Sequence, residues 1–71
     1  MRVLVNGAAR ALPEGATVAD VVAQVVAAEA ADAGRGIAVA VNDEVVRRAV
    51  WPATPVRDGD RVEILTAVQG G

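Results

Sequence analysis

Residues 2–5 alternate between polar and apolar positions well enough to predict a strand. Asn6-Gly7 follows, and this pair is a strong hairpin signal because both residue types tolerate positive φ. We therefore expect residues 8–12 to form the returning strand. Pro13-Glu14-Gly15 then interrupts the pattern.

A valine stripe with helical spacing comes next. Apolar side chains recur at i, i+3, i+4, i+7 and i+8 in Val18, Val21, Val22, Val25 and Val26. Thr17 is placed to cap this helix, with Asp20 three residues later as a variant of the capping box. The pattern predicts a helix from about 18 to 33, which Gly34 and Gly36 would end.

The second half of the chain predicts short strands. Residues 37–41 form an apolar run typical of a covered strand, and Asn42-Asp43 predicts the turn after it. Residues 44–48 should pair back. Pro52 and Pro55 then indicate an irregular crossover.

A last strand is predicted over residues 61–65, after a tight turn at Asp58-Gly59-Asp60. The element order is hairpin, helix, two short strands and a final strand that leads into the last residues. One helix on one face of a four- or five-stranded sheet is an α+β architecture. We expect one domain, residues 1–66, and a flexible tail, residues 67–71.

Side chains alternate between the two sides of the first and last predicted strands, and this alternation leaves two leucines outside the predicted core. If Val62 and Ile64 face the helix, Leu65 points the opposite way, and Leu4 does the same in the first strand. An exposed apolar pair is a candidate docking surface for a partner. Trp51, the one aromatic residue, is expected to close one end of the core.

The composition argues against several classes of function. The 71 residues include no Cys and no His, which argues against disulfides, zinc sites and a cysteine nucleophile. Ser, Lys and Tyr are absent as well, so most side chains that act as nucleophiles or as acids and bases are missing. We expect a protein that is not an enzyme and has no intrinsic cofactor or metal.

Charge and hydropathy argue against two further kinds of partner. A net charge of −2 and a single Trp provide neither a basic surface nor a row of stacking platforms for nucleic acid. The longest apolar stretches, residues 21–26 and 37–41, are far shorter than the roughly 18 residues of a membrane span. With no signal-peptide pattern, we expect a soluble cytoplasmic protein.

The sequence finishes on Gly70-Gly71, directly after the last predicted strand. Residues without Cβ can enter a narrow passage, and an extended segment 67–71 reaches about 17 Å. A carboxylate delivered in this way can attack the α-phosphate of ATP, giving an acyl-adenylate from which a nucleophile displaces AMP. The alternative is a frayed end, because termini are often poorly ordered.

Several segments together resemble a known family. They are residues 38–46, Trp51, Val56, residues 58–64 and the ending 66–71, which reads TAVQGG. In this combination the whole chain resembles the ThiS family of ubiquitin-like sulfur-carrier proteins of thiamine biosynthesis. The resemblance implies a β-grasp fold, in which the first and last strands lie parallel at the centre of the sheet.

The resemblance also implies a role for the tail. Gly71 would be adenylated by a ThiF-type enzyme that uses ATP and magnesium, with Gln69 and Gly70 preceding it in the tail. A sulfur donor such as a cysteine desulfurase would then convert Gly71 to a thiocarboxylate, which would deliver sulfur to thiazole synthase. Leu4 and Leu65 would be the candidate contacts with these partners.

Three alternatives stay open at this point. The small subunit of molybdopterin synthase shares the fold and the ending, but its members tend to be longer and richer in Phe, which this chain lacks. Carriers of sulfur for other metabolites, and conjugation to other proteins in the manner of ubiquitin, use the same activation chemistry. A ubiquitin-like binding module with an inert tail belongs to a different class.

Overall fold

A computed structural model describes residues 1–25 and 36–66, and these residues form one helix, α1 (Val18–Val25), one 3₁₀ helix (Arg48–Ala53) and five strands. The strands are β1 (Arg2–Val5), β2 (Ala8–Ala11), β3 (Ile37–Val41), β4 (Glu44–Val46) and β5 (Arg61–Thr66). They form one sheet in the order β2-β1-β5-β3-β4, with β1 parallel to β5 and the other neighbours antiparallel. This is the predicted β-grasp arrangement, and the sheet has five strands.

The β1–β2 hairpin closes at Asn6-Gly7, as predicted. Asn6 has φ 50° and Gly7 has φ 84°, and Val5 pairs with Ala8 across the turn. Positive φ at both central residues is the conformation of a type I′ turn, whose twist matches that of the flanking strands. β2 ends one residue before the predicted boundary at Leu12, whose side chain is buried.

Helix α1 begins where the capping box predicts. The Thr17 N–H donates to the Asp20 carboxylate at 2.9 Å, and the Asp20 N–H donates to Thr17 Oγ1 at 3.3 Å. These reciprocal bonds satisfy backbone donors that a helix start leaves free. The predicted continuation, residues 26–33, lies outside the described residues. Neither helix in the described part of the chain is long and apolar enough to cross a bilayer.

The core lies between α1 and one face of the sheet, which we call the helix face. Val18, Val21 and Val22 of the helix are buried, as the valine stripe predicts. Each sheet residue packed in the same cluster is at most 6% exposed; these are Val3, Val5, Val39, Val62 and Ile64. Burial of these side chains stabilises the fold because each removes apolar surface from water.

The predicted strand 44–48 is wrong at its end. β4 stops at Val46, and the crossover that follows is a regular 3₁₀ helix rather than an irregular segment. The reason is Trp51, whose indole N–H donates to the Val46 carbonyl at 2.8 Å while its ring lies in the core, 6% exposed. This contact turns the chain back over the core directly after Val46. The predicted core position of Trp51 is confirmed.

The turn at Asp58-Gly59-Asp60 places the start of β5 beside β1. Gly59 has φ 87° and donates its N–H to the Arg2 carbonyl at 2.8 Å. The Asp58 carboxylate accepts the Arg2 N–H at 2.7 Å, and the Asp60 carboxylate accepts the Arg57 N–H at 2.8 Å. Both carboxylates therefore stabilise the turn, and the turn fixes which strand β5 joins.

Candidate functional site

β5 is the central strand of the sheet and the strand from which the tail continues. It runs to Thr66, and its last residues pair with β3 through Ala38–Leu65 and Ile37–Thr66. The tail residues Gln69, Gly70 and Gly71 lie outside the described residues. The tail boundary at residue 67 and the role of Gly71 therefore stay predictions.

Two asparagines attach β5 to the turns on either side of it. Asn6 Oδ1 accepts the Ile64 N–H at 2.8 Å, and Asn6 Nδ2 donates to the Ile64 carbonyl at 3.2 Å. Asn42 Oδ1 accepts the Arg61 N–H at 3.0 Å, and its Nδ2 donates to the Asp60 carboxylate at 3.0 Å. Asn42 also has positive φ, 51°, in the predicted Asn42-Asp43 turn. Each asparagine thus shapes a turn and holds β5.

Local sequence pattern places these asparagines in turns but does not predict their contacts with β5. The sequence did contain a signal for these contacts, because each of the two turns begins with Asn. An Asn amide can both donate and accept a hydrogen bond, whereas Gly has no side-chain group that could do so. The partner residues, however, lie far along the sequence. The contacts follow from the strand order and not from local pattern.

The side of the sheet opposite α1, which we call the open face, presents apolar side chains to solvent. Leu65 is 70% exposed, Leu4 is 39% exposed and Val45 is 77% exposed. The predicted outward orientation of Leu4 and Leu65 is therefore confirmed. Val45 belongs to the same face, and the sequence analysis did not single it out.

Leu4 and Leu65 lie on the same open face, but they line two different hollows. Leu4 pairs with Arg61, and Leu65 lies four residues further along β5, about 13 Å at 3.3 Å per residue. Leu4 lines a hollow with Arg2, Ala9 and the 58–59 turn. Leu65, one residue before the end of β5 at Thr66, lines a second hollow together with Ala38, Ala40, Val45 and Glu63.

The small side chains of β3 create the hollow next to Leu65. Ala40 pairs with Glu63 on one side and with Val45 on the other, and Ala38 pairs with Leu65, so each alanine lies beside a larger side chain of a neighbouring strand. The hollow has apolar walls with the exposed Glu63 carboxylate at one side. A partner side chain that is apolar with a cationic end fits such a surface.

The charges at the other end of the open face form an exposed ion pair. Arg61 contacts the Asp43 carboxylate at 3.0 Å, with the two side chains 55% and 72% exposed. A solvated pair of this kind contributes little to stability. Within residues 1–25 and 36–66, no three acidic side chains lie close enough together to hold a metal ion.

Comparison with known proteins gives a consistent result. The model of the ThiS family matches residues 3–71. The chain is similar to a crystal structure of a thiamine biosynthesis protein (ThiS) from Geobacter metallireducens, with 33% identity, a TM-score of 0.76 and 100% of both chains covered. An NMR structure of a thiamine biosynthesis protein from the same organism gives 33% identity and a TM-score of 0.75, covering 100% of this chain and 88% of that one. A search of curated proteins finds no significant match.

Proposed function

Because this chain belongs to the ThiS family, we propose that it is a sulfur carrier of thiamine biosynthesis and that the Gly71 carboxylate carries the sulfur. One observation supports this most directly. The central strand β5 runs to Thr66, so the last five residues follow directly in sequence from the strand at the centre of the sheet. Both similar solved structures are thiamine biosynthesis proteins, which favours this branch over molybdopterin synthase.

The proposed chemistry begins with activation of the tail. The Gly71 carboxylate attacks the α-phosphate of ATP in the site of a ThiF-type enzyme, and pyrophosphate leaves. A persulfide from a donor such as a cysteine desulfurase displaces AMP and forms an acyl disulfide. A second thiol, supplied by a partner, attacks that disulfide, so the sulfur stays on Gly71 as a thiocarboxylate and the two thiols leave as a disulfide. Thiazole synthase accepts that sulfur. ATP and magnesium belong to the activating partner, and this chain acts as its co-substrate.

The residue types of this chain are consistent with a co-substrate, which needs no catalytic side chains of its own. Activation needs positioning of the carboxylate and stabilisation of charge on phosphate, and both are supplied by the partner's site. The carrier needs a stable body, a surface to dock and a thin tail. Gly70 and Gly71 provide the least bulk next to the reacting carboxylate.

We propose the open face as the docking surface for these partners. Leu65 and its hollow lie next to the origin of the tail, so a partner bound there receives the tail directly. Leu4 lies about 13 Å further along the sheet and extends the surface. In protein–protein contacts a few side chains near the centre of the interface carry most of the binding energy.

The decisive experiment is the intact mass of the protein after incubation with ATP, magnesium, a ThiF-type enzyme and a sulfur source. We expect a mass gain equal to the exchange of one oxygen for one sulfur, with fragmentation placing it at Gly71. A variant without Gly71 should keep its fold and show no gain. An unchanged mass with a partner that modifies its own carrier would refute the proposal, and it would favour a binding module with an inert tail.

A further inference from the structure

The Asn6 side chain continues the β1 side of the sheet after β1 has ended. Backbone pairing between β1 and β5 covers Leu4–Arg61 and Val5–Val62, and the Asn6 N–H still donates to the Val62 carbonyl at 2.9 Å. The chain then turns away. The Asn6 amide replaces the missing strand residue, because its donor and acceptor match those of a peptide group, and it extends the contact to Ile64.

This contact lies close to the origin of the tail. Ile64 is two residues before Thr66, where β5 ends. On the β3 side, the end of β5 is paired through Ile37–Thr66. The Asn6 amide supplies the opposing contact, so both sides of β5 are held just before the tail begins.

We infer that Asn6 is a positioning residue for the tail, acting through β5; this inference rests on the proposed function. The Asn6 contact at Ile64 on one edge of β5 and the β3 pairing of Leu65 and Thr66 on the other hold the direction of the strand from which the tail continues. An extended tail of this length reaches about 17 Å, so a change of about 20° at its origin moves the carboxylate by about 6 Å. Loss of the contact would leave the end of β5 paired on the β3 side alone, and the greater freedom of that end would have to be given up when the tail enters a partner.

The molecule contains a matched control for this inference. Asn42 has the same conformation, φ 51° against 50° for Asn6, and its amide also bonds the β5 backbone. Its partner is Arg61, the first residue of β5, and so it lies at the far end of the strand from the tail. Glycine accepts positive φ at either position, and therefore Asn6→Gly and Asn42→Gly each delete one amide without disturbing the turn.

The test measures adenylation of the wild type and both variants by a purified ThiF-type enzyme, followed as pyrophosphate release. We expect Asn6→Gly to raise KM about 5- to 10-fold with kcat within about twofold, because the ordering cost falls on binding. Asn42→Gly should leave both parameters within about twofold. Hydrogen exchange of the free proteins should be faster at Ile64 and Leu65 in Asn6→Gly than in Asn42→Gly.

The outcomes separate the inference from the proposed function. If the wild type is adenylated and the two variants have the same KM, the positioning role of Asn6 is wrong while the proposed function stands. If an enzyme that adenylates its own carrier leaves the wild type unmodified, the proposed function fails and the inference fails with it. Should Asn6→Gly not fold, Asn6→Asp keeps the acceptor for the Ile64 N–H but loses the donor, and an unchanged KM in that variant overturns the inference.

Discussion

The helix face and the open face of the sheet are built from alternate residues of the same strands, yet they differ sharply in exposure. On β5, Val62 is 1% exposed and Ile64 is 6% exposed, whereas Leu65, the residue directly after Ile64, is 70% exposed. Strand geometry sends successive side chains to opposite sides, so neighbouring residues can serve unrelated purposes. The helix face stabilises the fold, and the open face exposes the apolar side chains that we propose as the docking surface.

The difference also separates the consequences of substitution. A side chain on the helix face contributes to a core that is small in a 71-residue chain. A side chain on the open face is already in water, and its removal costs the folded state little. Four predictions test this division, from the largest expected effect to the smallest.

Val62→Ala should lower the free energy of unfolding by about 2–3 kcal/mol, because it removes buried methyl groups and leaves a cavity. Val45→Ala removes the same atoms from the open face, where the residue is 77% exposed, and should change the free energy by less than about 0.5 kcal/mol. Urea denaturation followed by Trp51 fluorescence measures both. Equal losses in the two variants would show that the faces do not differ in this way.

Leu65→Arg should leave the free energy of unfolding almost unchanged and raise the KM for adenylation about tenfold, a loss of roughly 1.4 kcal/mol in binding. The physical reason is that the substitution places a bulky cation at the apolar hollow near Thr66, where β5 ends. Steady-state kinetics with the ThiF-type enzyme measure the effect. Leu4→Arg is the comparison variant at the second hollow of the same face. If it alone raised KM, docking would centre on the Leu4 hollow, and if neither did, we would abandon the open face as the docking surface.

Thr17→Ala should destabilise the protein by about 1 kcal/mol, since it removes the side chain that caps α1 and thereby weakens the element covering the helix face. Thermal or urea unfolding measures the loss. The double variant with Asp20→Ala should lose less than the sum of the two single variants, because the two side chains form one reciprocal cap. Fully additive losses would contradict that coupling.

Asp43→Asn should have the smallest effect, a few tenths of a kcal/mol or less, because its pairing with Arg61 is exposed to solvent. The comparison of unfolding at low and high salt checks this, and the two proteins should differ less as salt increases. A loss above about 1 kcal/mol would mean that the ion pair stabilises the open face more than its exposure suggests.

Local patterns predicted much of the fold because much of it is set by local physics. The two turns follow from Asn6-Gly7 and Asn42-Asp43, and all four residues have positive φ. The start of α1 follows from Thr17 and the valine stripe. The outward orientation of Leu4 and Leu65 follows from alternation alone.

Contacts between distant residues account for what the pattern could not predict. The parallel pairing of β1 with β5 came from the family resemblance, since Leu4 and Arg61 are 57 positions apart (61 − 4). β4 is shorter than predicted because the Trp51 indole N–H donates a hydrogen bond to the Val46 carbonyl. In the candidate site, the separation of Leu4 and Leu65 into two hollows and the Asn6 contact with Ile64 both depend on strand register.

The central position of β5 has a consequence for how the chain folds. β5 is made after every other described strand, yet it lies between β1 and β3. While the chain is being synthesised, the two hairpins have no shared neighbour, and the valines of the helix face have no completed sheet to pack on. Pairing across so many residues also slows folding compared with local contacts. Folding is therefore completed only by the segment that leads into the tail, and a product cut short before β5 lacks the central strand of its sheet.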